Sequence, residues 1–328
     1  MRAQHCINWG TEDDLALVEI PKPDPGPGEV IIKVMAAGVN FADSLMISGN
    51  YQIKPPLPFA PGMEIAGIID SVGDGVENFK IGDRVLAILS HGGFQEFAVA
   101  RADDVFVIPD TMDFHSAAAF AIAYGTSEIG LSAKLALKPG ESVLINGAAG
   151  GVGLTAVELA KHLGATVIAA AGGPEKLAIA KRYGADYLID YKTEDLANRV
   201  KQITEGKGVD AVYDPVGGSA FKASMKAVRQ GGRILIVGFA SGDVPQIPAN
   251  ILLVKNITAM GYFWGAYRIL APKVMENSMH KLFNLYVSDG LEPMISKSFD
   301  LSEVPAALKY LKSRKGAGKI IITTETRH

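Results

Sequence analysis

Cysteine is all but absent from this 328-residue chain, with Cys6 the only one. A single thiol excludes an intrachain disulfide and any metal site assembled from several cysteines of one chain. Its place in an opening segment that reads as a strand predicts a buried, inert side chain. No run free of charges is long enough to span a bilayer, and Met1 to Gly10 lacks the apolar core of a secretion signal. A cytoplasmic protein with no membrane partner is therefore expected. Lys and Arg number 32 against 35 Asp and Glu, a net charge of −3. Without a basic cluster to track phosphates, nucleic acid is not an expected partner. Internal repeats and low-complexity segments are missing too.

What is present is apolar and rich in turns. Hydrophobic residues make up 48% of the chain and charged ones 20%, with 36 glycines, enough to bury substantial cores and against long disorder. At this length two domains are the first expectation. Short apolar or alternating runs at 30–36, 65–72, 84–89 and 94–98, separated by Gly-Asp and Gly-Gly turns, predict a compact β-rich domain. From about Ser116 helices and strands alternate, with strands at 211–214, 233–237 and 257–260, the rhythm of a doubly wound α/β domain. A helix over 272–289, another over 301–312 and a last strand over 319–323 do not extend that fold naturally. They are expected to return to the first domain, so that 1–121 and 262–328 flank an inserted cofactor domain of 122–261.

Between the apolar run Ser142–Ile145 and a helix-patterned run from Thr155 lies Asn146-Gly147-Ala148-Ala149-Gly150-Gly151-Val152-Gly153-Leu154. Strand, glycine turn and helix start together let backbone approach a pyrophosphate, held by free N–H groups and the positive end of the helix dipole. Ala149, Gly150, Gly151 and Val152 are the expected contacts; a glycine turn that binds nothing is the bland alternative. The next run, Ala165–Ala171, reads as the second strand of the unit. NAD sites place Asp or Glu at its tip for the ribose hydroxyl. Here the tip reads Ala171-Gly172-Gly173-Pro174-Glu175-Lys176, with Glu175 beyond it in a helix start. Gly172 is counted with the cofactor contacts. Lys176, with Tyr191 and Arg182 as weaker candidates, is expected to hold a 2′-phosphate, so NADPH is favoured; the alternative for Lys176 is a solvated helix lysine.

Several segments in order resemble the zinc-free quinone oxidoreductases, or zeta-crystallin-like proteins, of the medium-chain dehydrogenase/reductase superfamily. They are Ala37-Gly38-Val39-Asn40-Phe41-Ala42-Asp43, the stretch from Pro58 to Gly67, Gly82-Asp83-Arg84-Val85, the cofactor turn, Val237-Gly238-Phe239-Ala240 and Gly318-Lys319-Ile320. The resemblance implies a GroES-like β-rich catalytic domain plus a Rossmann cofactor domain, with the site in the crevice between them. Zinc-using members carry a cysteine where this chain has Asn40 and a Gly-His-Glu triplet where it has Gly62-Met63-Glu64. Asn and Met are a poor set for a hard metal, and no metal site is expected.

Hydride addition to an isolated carbonyl builds a localised alkoxide, which calls for a Lewis acid or a good proton relay. Addition to a quinone or an enone spreads the charge, and hydrogen bonds suffice. A metal-free reductase of quinones or α,β-unsaturated carbonyls is therefore the expected activity. Two alternatives stay open: an enoyl-thioester reductase, and a non-catalytic dinucleotide- or RNA-binding protein.

The reactive end is assigned to Asn40, Asp43 and Tyr51. Tyr51, by resemblance, donates its phenolic proton to the acceptor oxygen, against the alternative of a packing tyrosine. Asn40 is a candidate for bonding substrate or nicotinamide, or a turn residue bonding its own backbone. Asp43 orients a neighbour or, preferably, caps a helix. On the cofactor side the resemblance implies Thr126, the loop Val237, Gly238, Phe239 and Ala240, then Phe263 and Trp264 near the nicotinamide. Lys319 either reaches the cofactor phosphates or snorkels on a final strand. His91 and His115 have no visible partner. A homodimer through the cofactor-domain edge around 247–260 is expected.

Overall fold

The computed structural model describes residues 1–324. The chain divides into two compact units, one formed by residues 1–122 with the C-terminal part from Phe283, the other by Ala123–Leu282.

The first unit is built on the long strand Glu29–Val39, buried along its length except at Lys33 and a few partly covered positions. One of its edges pairs antiparallel with Glu64–Val72; the other pairs first with Phe97–Arg101 and then with Lys319–Thr323. The seven-stranded sheet is completed by Arg84–Ile88, Val105–Val107 and Ile295–Asp300. Met46, Phe59, Ile65, Ile69, Phe94, Leu308 and Ile320 lie in its core. Because the last strand pairs inside this sheet, the C-terminal segment is held in the first unit although 160 residues of the second intervene. Cys6 is buried and donates its thiol hydrogen to Asn8 O at 3.1 Å, and burial pushes its pKa up.

The second unit holds a six-stranded, all-parallel sheet in the order Tyr187–Asp190, Thr166–Ala171, Ser142–Asn146, Val209–Asp214, Val228–Ile236, Thr258–Gly261. Numbered along the chain this is 3-2-1-4-5-6, the Rossmann order, whose direction reverses between the first and fourth strands. The central strands are covered on both faces and so read as continuous apolar runs such as Val143-Leu144-Ile145.

Two expectations shift. The strand placed at 94–98 is found at Phe97–Arg101, because Phe94 belongs to a turn whose N–H bonds Pro61 O at 2.8 Å while Gly93 N bonds Gly62 O at 3.0 Å. Residues 262–282, assigned by sequence to the first domain, group with the second unit. The part of the helix Pro272–Asp289 up to Leu282 is tied there through the buried Glu128 carboxylate, which accepts from Ser278 Oγ at 2.6 Å and Lys281 Nζ at 2.7 Å.

Candidate active site

In the second unit, the helix Gly151–His162 starts directly from the glycine turn, with Gly150 as its N-cap. The turn tolerates no side chain at Gly153, where a Cβ would lie 2.1 Å from Gly147 O. The turn packs closely on itself before the helix, and the first-turn N–H groups of a helix have no partner within the helix, the arrangement on which a pyrophosphate can be held. At the switch point, Asn146 Nδ2 donates to Asp214 Oδ1 at 3.0 Å and to Ser224 Oγ at 2.9 Å. Asp214 also accepts Val216 N–H at 3.0 Å, and burial pushes its carboxyl up. The loop holding Val237, Gly238, Phe239 and Ala240 is laced to the same place by Val237 N to Asp214 O and Ala240 N to Pro215 O, at 2.9 and 3.0 Å. Phe239 is exposed.

The tip of the second strand meets residues sequence reasoning missed. A Cβ on Gly172 would lie 2.8 Å from Tyr191 Oη and 3.0 Å from Lys192 Cε. Asp190 fixes this corner, accepting Gly173 N–H at 3.1 Å and Lys192 N–H at 3.0 Å. Lys192 thus joins Tyr191 beside Gly172; the signal was its adjacency to Tyr191, legible only once the third strand is known to lie against the second. Lys176 stands half-buried on the first turn of the helix Pro174–Arg182.

Two other cofactor candidates, Trp264 and Thr126, are buried. Trp264 is only 6% exposed and lies against Gly125, its Nε1 without a hydrogen-bond partner among the described residues. Its indole is buried, whereas Phe263 is exposed; the bonding expected of this segment falls to backbone groups. Thr126 is buried, and its carbonyl accepts the Tyr262 hydroxyl at 3.1 Å. Ala149, Gly150, Gly151 and Val152 all lie on the turn and the first helical residues.

In the first unit, Asn40, Asp43, Glu64 and Lys319 converge. Lys319 is buried, and its ammonium donates to Val39 O at 3.0 Å, Asn40 Oδ1 at 2.6 Å and Glu64 Oε1 at 2.6 Å. All three N–H bonds are committed, so Lys319 neither snorkels to water nor reaches for phosphate here. Asn40 Nδ2 donates to Glu64 Oε1 at 2.9 Å, while Glu64 Oε2 accepts Ile122 N–H at 2.9 Å. With a cation on its oxygen and a carboxylate on its nitrogen, the Asn40 amide has one orientation. Gly38 makes this close approach possible, since a Cβ there would lie 2.5 Å from Glu64 Oε1.

Asp43 accepts Asn40 N–H at 2.7 Å and so caps the helix Phe41–Ile47. It is fully buried, its Oδ1 has no partner among the described residues, and burial pushes its carboxyl up to about 7. Burial, and then the charge of Asp43, push the Tyr51 phenol up to about 12. A phenol so shifted keeps its proton at neutral pH and acts as a donor rather than a base. His91 sits against Ser90 Oγ at 3.0 Å with its pKa lowered by burial, and His115 is exposed.

The place where zinc-using relatives put ligands holds Asn40, the thioether of Met63 and a Glu64 already bonded to an ammonium. A second cation on Glu64 would be repelled by the Lys319 ammonium, which already lies 2.6 Å from Glu64 Oε1, and this donor set does not fit zinc.

A GroES-like β unit with a metal-poor polar cluster, joined to a Rossmann unit, defines a medium-chain dehydrogenase/reductase. Residues 26–110 match the family model of the alcohol dehydrogenase GroES-like domain, and 151–284 that of the zinc-binding dehydrogenases. A quinone oxidoreductase-like protein 2 homolog of Nematostella vectensis is 42% identical, over 92% of this chain and 83% of that protein. The structure of Escherichia coli quinone oxidoreductase complexed with NADPH matches with a TM-score of 0.92 at 32% identity, over 99% of this chain and 100% of the other. A 2-haloacrylate reductase structure matches with a TM-score of 0.86 at 30% identity, over 99% and 100%. The chain belongs to the zinc-free quinone oxidoreductase family of the medium-chain dehydrogenases/reductases.

Proposed function

We propose that this protein is an NADPH-dependent reductase of quinones or other conjugated carbonyls that works without a metal. The observation that carries the metal-free part of this reading is the Lys319 ammonium seated between Asn40 Oδ1 and Glu64 Oε1, both at 2.6 Å. The NADPH complex of the similar E. coli protein supports the cofactor. Bound NADPH supplies the hydride. The turn from Ala149 to Val152 would hold the pyrophosphate, and Lys176, Tyr191 and Lys192 around Gly172 would hold the 2′-phosphate. The loop 237–240, with Thr126 and Phe263, would border the nicotinamide. Tyr51 keeps a proton available for the acceptor oxygen, and Asn40 acts there through its place between Lys319 and Glu64.

A cytoplasmic homodimer completes the reading. Among the described residues no helix is long and apolar enough to cross a membrane. The edge strand Thr258–Gly261 has one sheet neighbour, and Leu253 and Val254 beside it are 76% and 69% exposed. Sedimentation of a Leu253→Asp variant as a monomer is the expected outcome.

The test is NADPH oxidation by purified protein in chelator-containing buffer, with a simple quinone and a short 2-enoyl thioester as rival acceptors. Quinone turnover undiminished by the chelator is expected. Turnover of the thioester alone moves the assignment to enoyl reduction, and loss of activity on chelation that zinc restores overturns the metal-free reading.

A further inference from the structure

Trp9 belongs to none of the assigned machinery, yet its indole is held against Gly49, on the turn that leads to Tyr51. The chain is pinned on both sides of it: Cys6 N bonds Phe59 O at 2.8 Å, and Gly10 N bonds Ile47 O at 3.0 Å. Its indole lies on Gly49, where a Cβ would come 3.3 Å from Cδ2. Gly49 has a φ of 70° and stands two residues before Tyr51 on the turn that ends the helix Phe41–Ile47. Phe59 backs the indole at a centroid distance of 5.7 Å and an interplanar angle of 46°. His91 in turn meets Phe59 edge-on at 5.9 Å. Phe59 is buried, whereas Trp9 keeps 40% of its surface exposed.

A large aromatic ring so anchored is ordered before any ligand arrives, and its uncovered surface offers a preformed stacking platform on the turn that carries Tyr51. Stacking favours a flat π-system and gives nothing extra to a small aliphatic enone. We propose that Trp9 is a specificity residue, the stacking wall that selects planar, fused-ring quinones over small aliphatic enones at the Tyr51 site. The inference rests on the reductase reading above and names the acceptor class within it. An offset-stacked pair contributes about 0.5–1.5 kcal/mol beyond its area, which corresponds to roughly tenfold in affinity at the upper end.

The experiment compares wild type, Trp9→Ala and Trp9→Phe with saturating NADPH, using 1,4-naphthoquinone and methyl vinyl ketone as acceptors. Trp9→Ala is expected to raise KM for the naphthoquinone about tenfold. Its kcat and its KM for the enone should stay within about twofold, and Trp9→Phe should recover most of the loss. Equal KM changes for both acceptors, or none, overturn the proposal.

A readout independent of turnover uses the Trp264→Phe variant, which leaves Trp9 the only indole of the two in the chain. Naphthoquinone should quench its emission saturably, and a purely linear, collisional quench counts against the wall. Wild type that oxidises NADPH with neither acceptor defeats the reductase reading, and the quenching titration then decides Trp9 by itself. Turnover in wild type with an unchanged acceptor ratio in Trp9→Ala defeats only the role given to Trp9.

Discussion

Replacing Lys319 by Met keeps the length of the side chain and deletes a buried charge, and its cost follows from what remains. Three N–H···O bonds of 3.0, 2.6 and 2.6 Å disappear. Among the described residues Glu64, 1% exposed, keeps only the Ile122 N–H and the Asn40 amide as partners, both at 2.9 Å. Breaking a buried ion pair from one side costs about 3–5 kcal/mol, mostly for the charge left behind, so about 4 kcal/mol is expected for Lys319→Met. Glu64→Gln strands the ammonium instead and should cost about 3 kcal/mol, since Val39 O and Asn40 Oδ1 still accept from it. The double variant removes both charges. It should cost about 4 kcal/mol rather than the sum of about 7, a coupling of about 3 kcal/mol. Because two units need not unfold together, urea unfolding should be followed by Trp9 emission, the indole of the first unit, in a Trp264→Phe background. A Lys319→Met cost below about 1 kcal/mol, or a double variant equal to the sum, would refute the view that these two charges depend on each other.

Three further outcomes follow. Tyr51→Phe should lower kcat at least about a hundredfold with KM for NADPH unchanged; steady-state rates equal to wild type with every acceptor end its proton-donor role. Lys176→Ala and Lys192→Ala should each reduce kcat/KM for NADPH about tenfold and leave that for NADH unaltered, and a parallel loss with both cofactors removes them from the 2′-phosphate. Asp43 stays protonated in the folded protein up to about 7, while its unfolded value is near 3.8. The folded state therefore holds an extra proton between these values. The stability this gives is complete below the unfolded value and is lost as pH rises through about 7, on the order of 4 kcal/mol. Asp43→Asn should flatten the pH 4–8 dependence of unfolding free energy, and an unchanged slope rejects Asp43 as its source.

Much of this protein was legible in local pattern. The glycine turn announced itself because a strand, a close backbone turn and a helix start are consecutive in sequence, and Gly153 can be nothing else with Gly147 O at 2.1 Å from its absent Cβ. The missing acid at the tip of the second strand was equally local. The strands Ser142–Asn146, expected over Ser142–Ile145, and Lys319–Thr323 were foreseen from apolar runs of the kind a covered strand carries. Where expectation slipped, at the Phe94 turn and at residues 262–282, the deciding contacts came from segments remote in the chain, Pro61 with Gly62 and Glu128 respectively.

The sequence by itself determined the two-part plan, the dinucleotide turn and the loss of the residues that would ligate zinc, since each is written in residue types at fixed spacing. Only the tertiary structure decided what those residues do. Lys319 reads as a phosphate-seeking or snorkelling lysine until the last strand pairs with Glu29–Val39 and brings its ammonium between Asn40 and Glu64, 279 and 255 residues away. Lys192 comes beside Gly172 only through the order of the sheet, the Trp264 indole is buried against Gly125, and Trp9 is held between Gly49 and Phe59. Burial, ion pairing and stacking depend on distance in space, and no local pattern carries that distance for residues far apart along the chain.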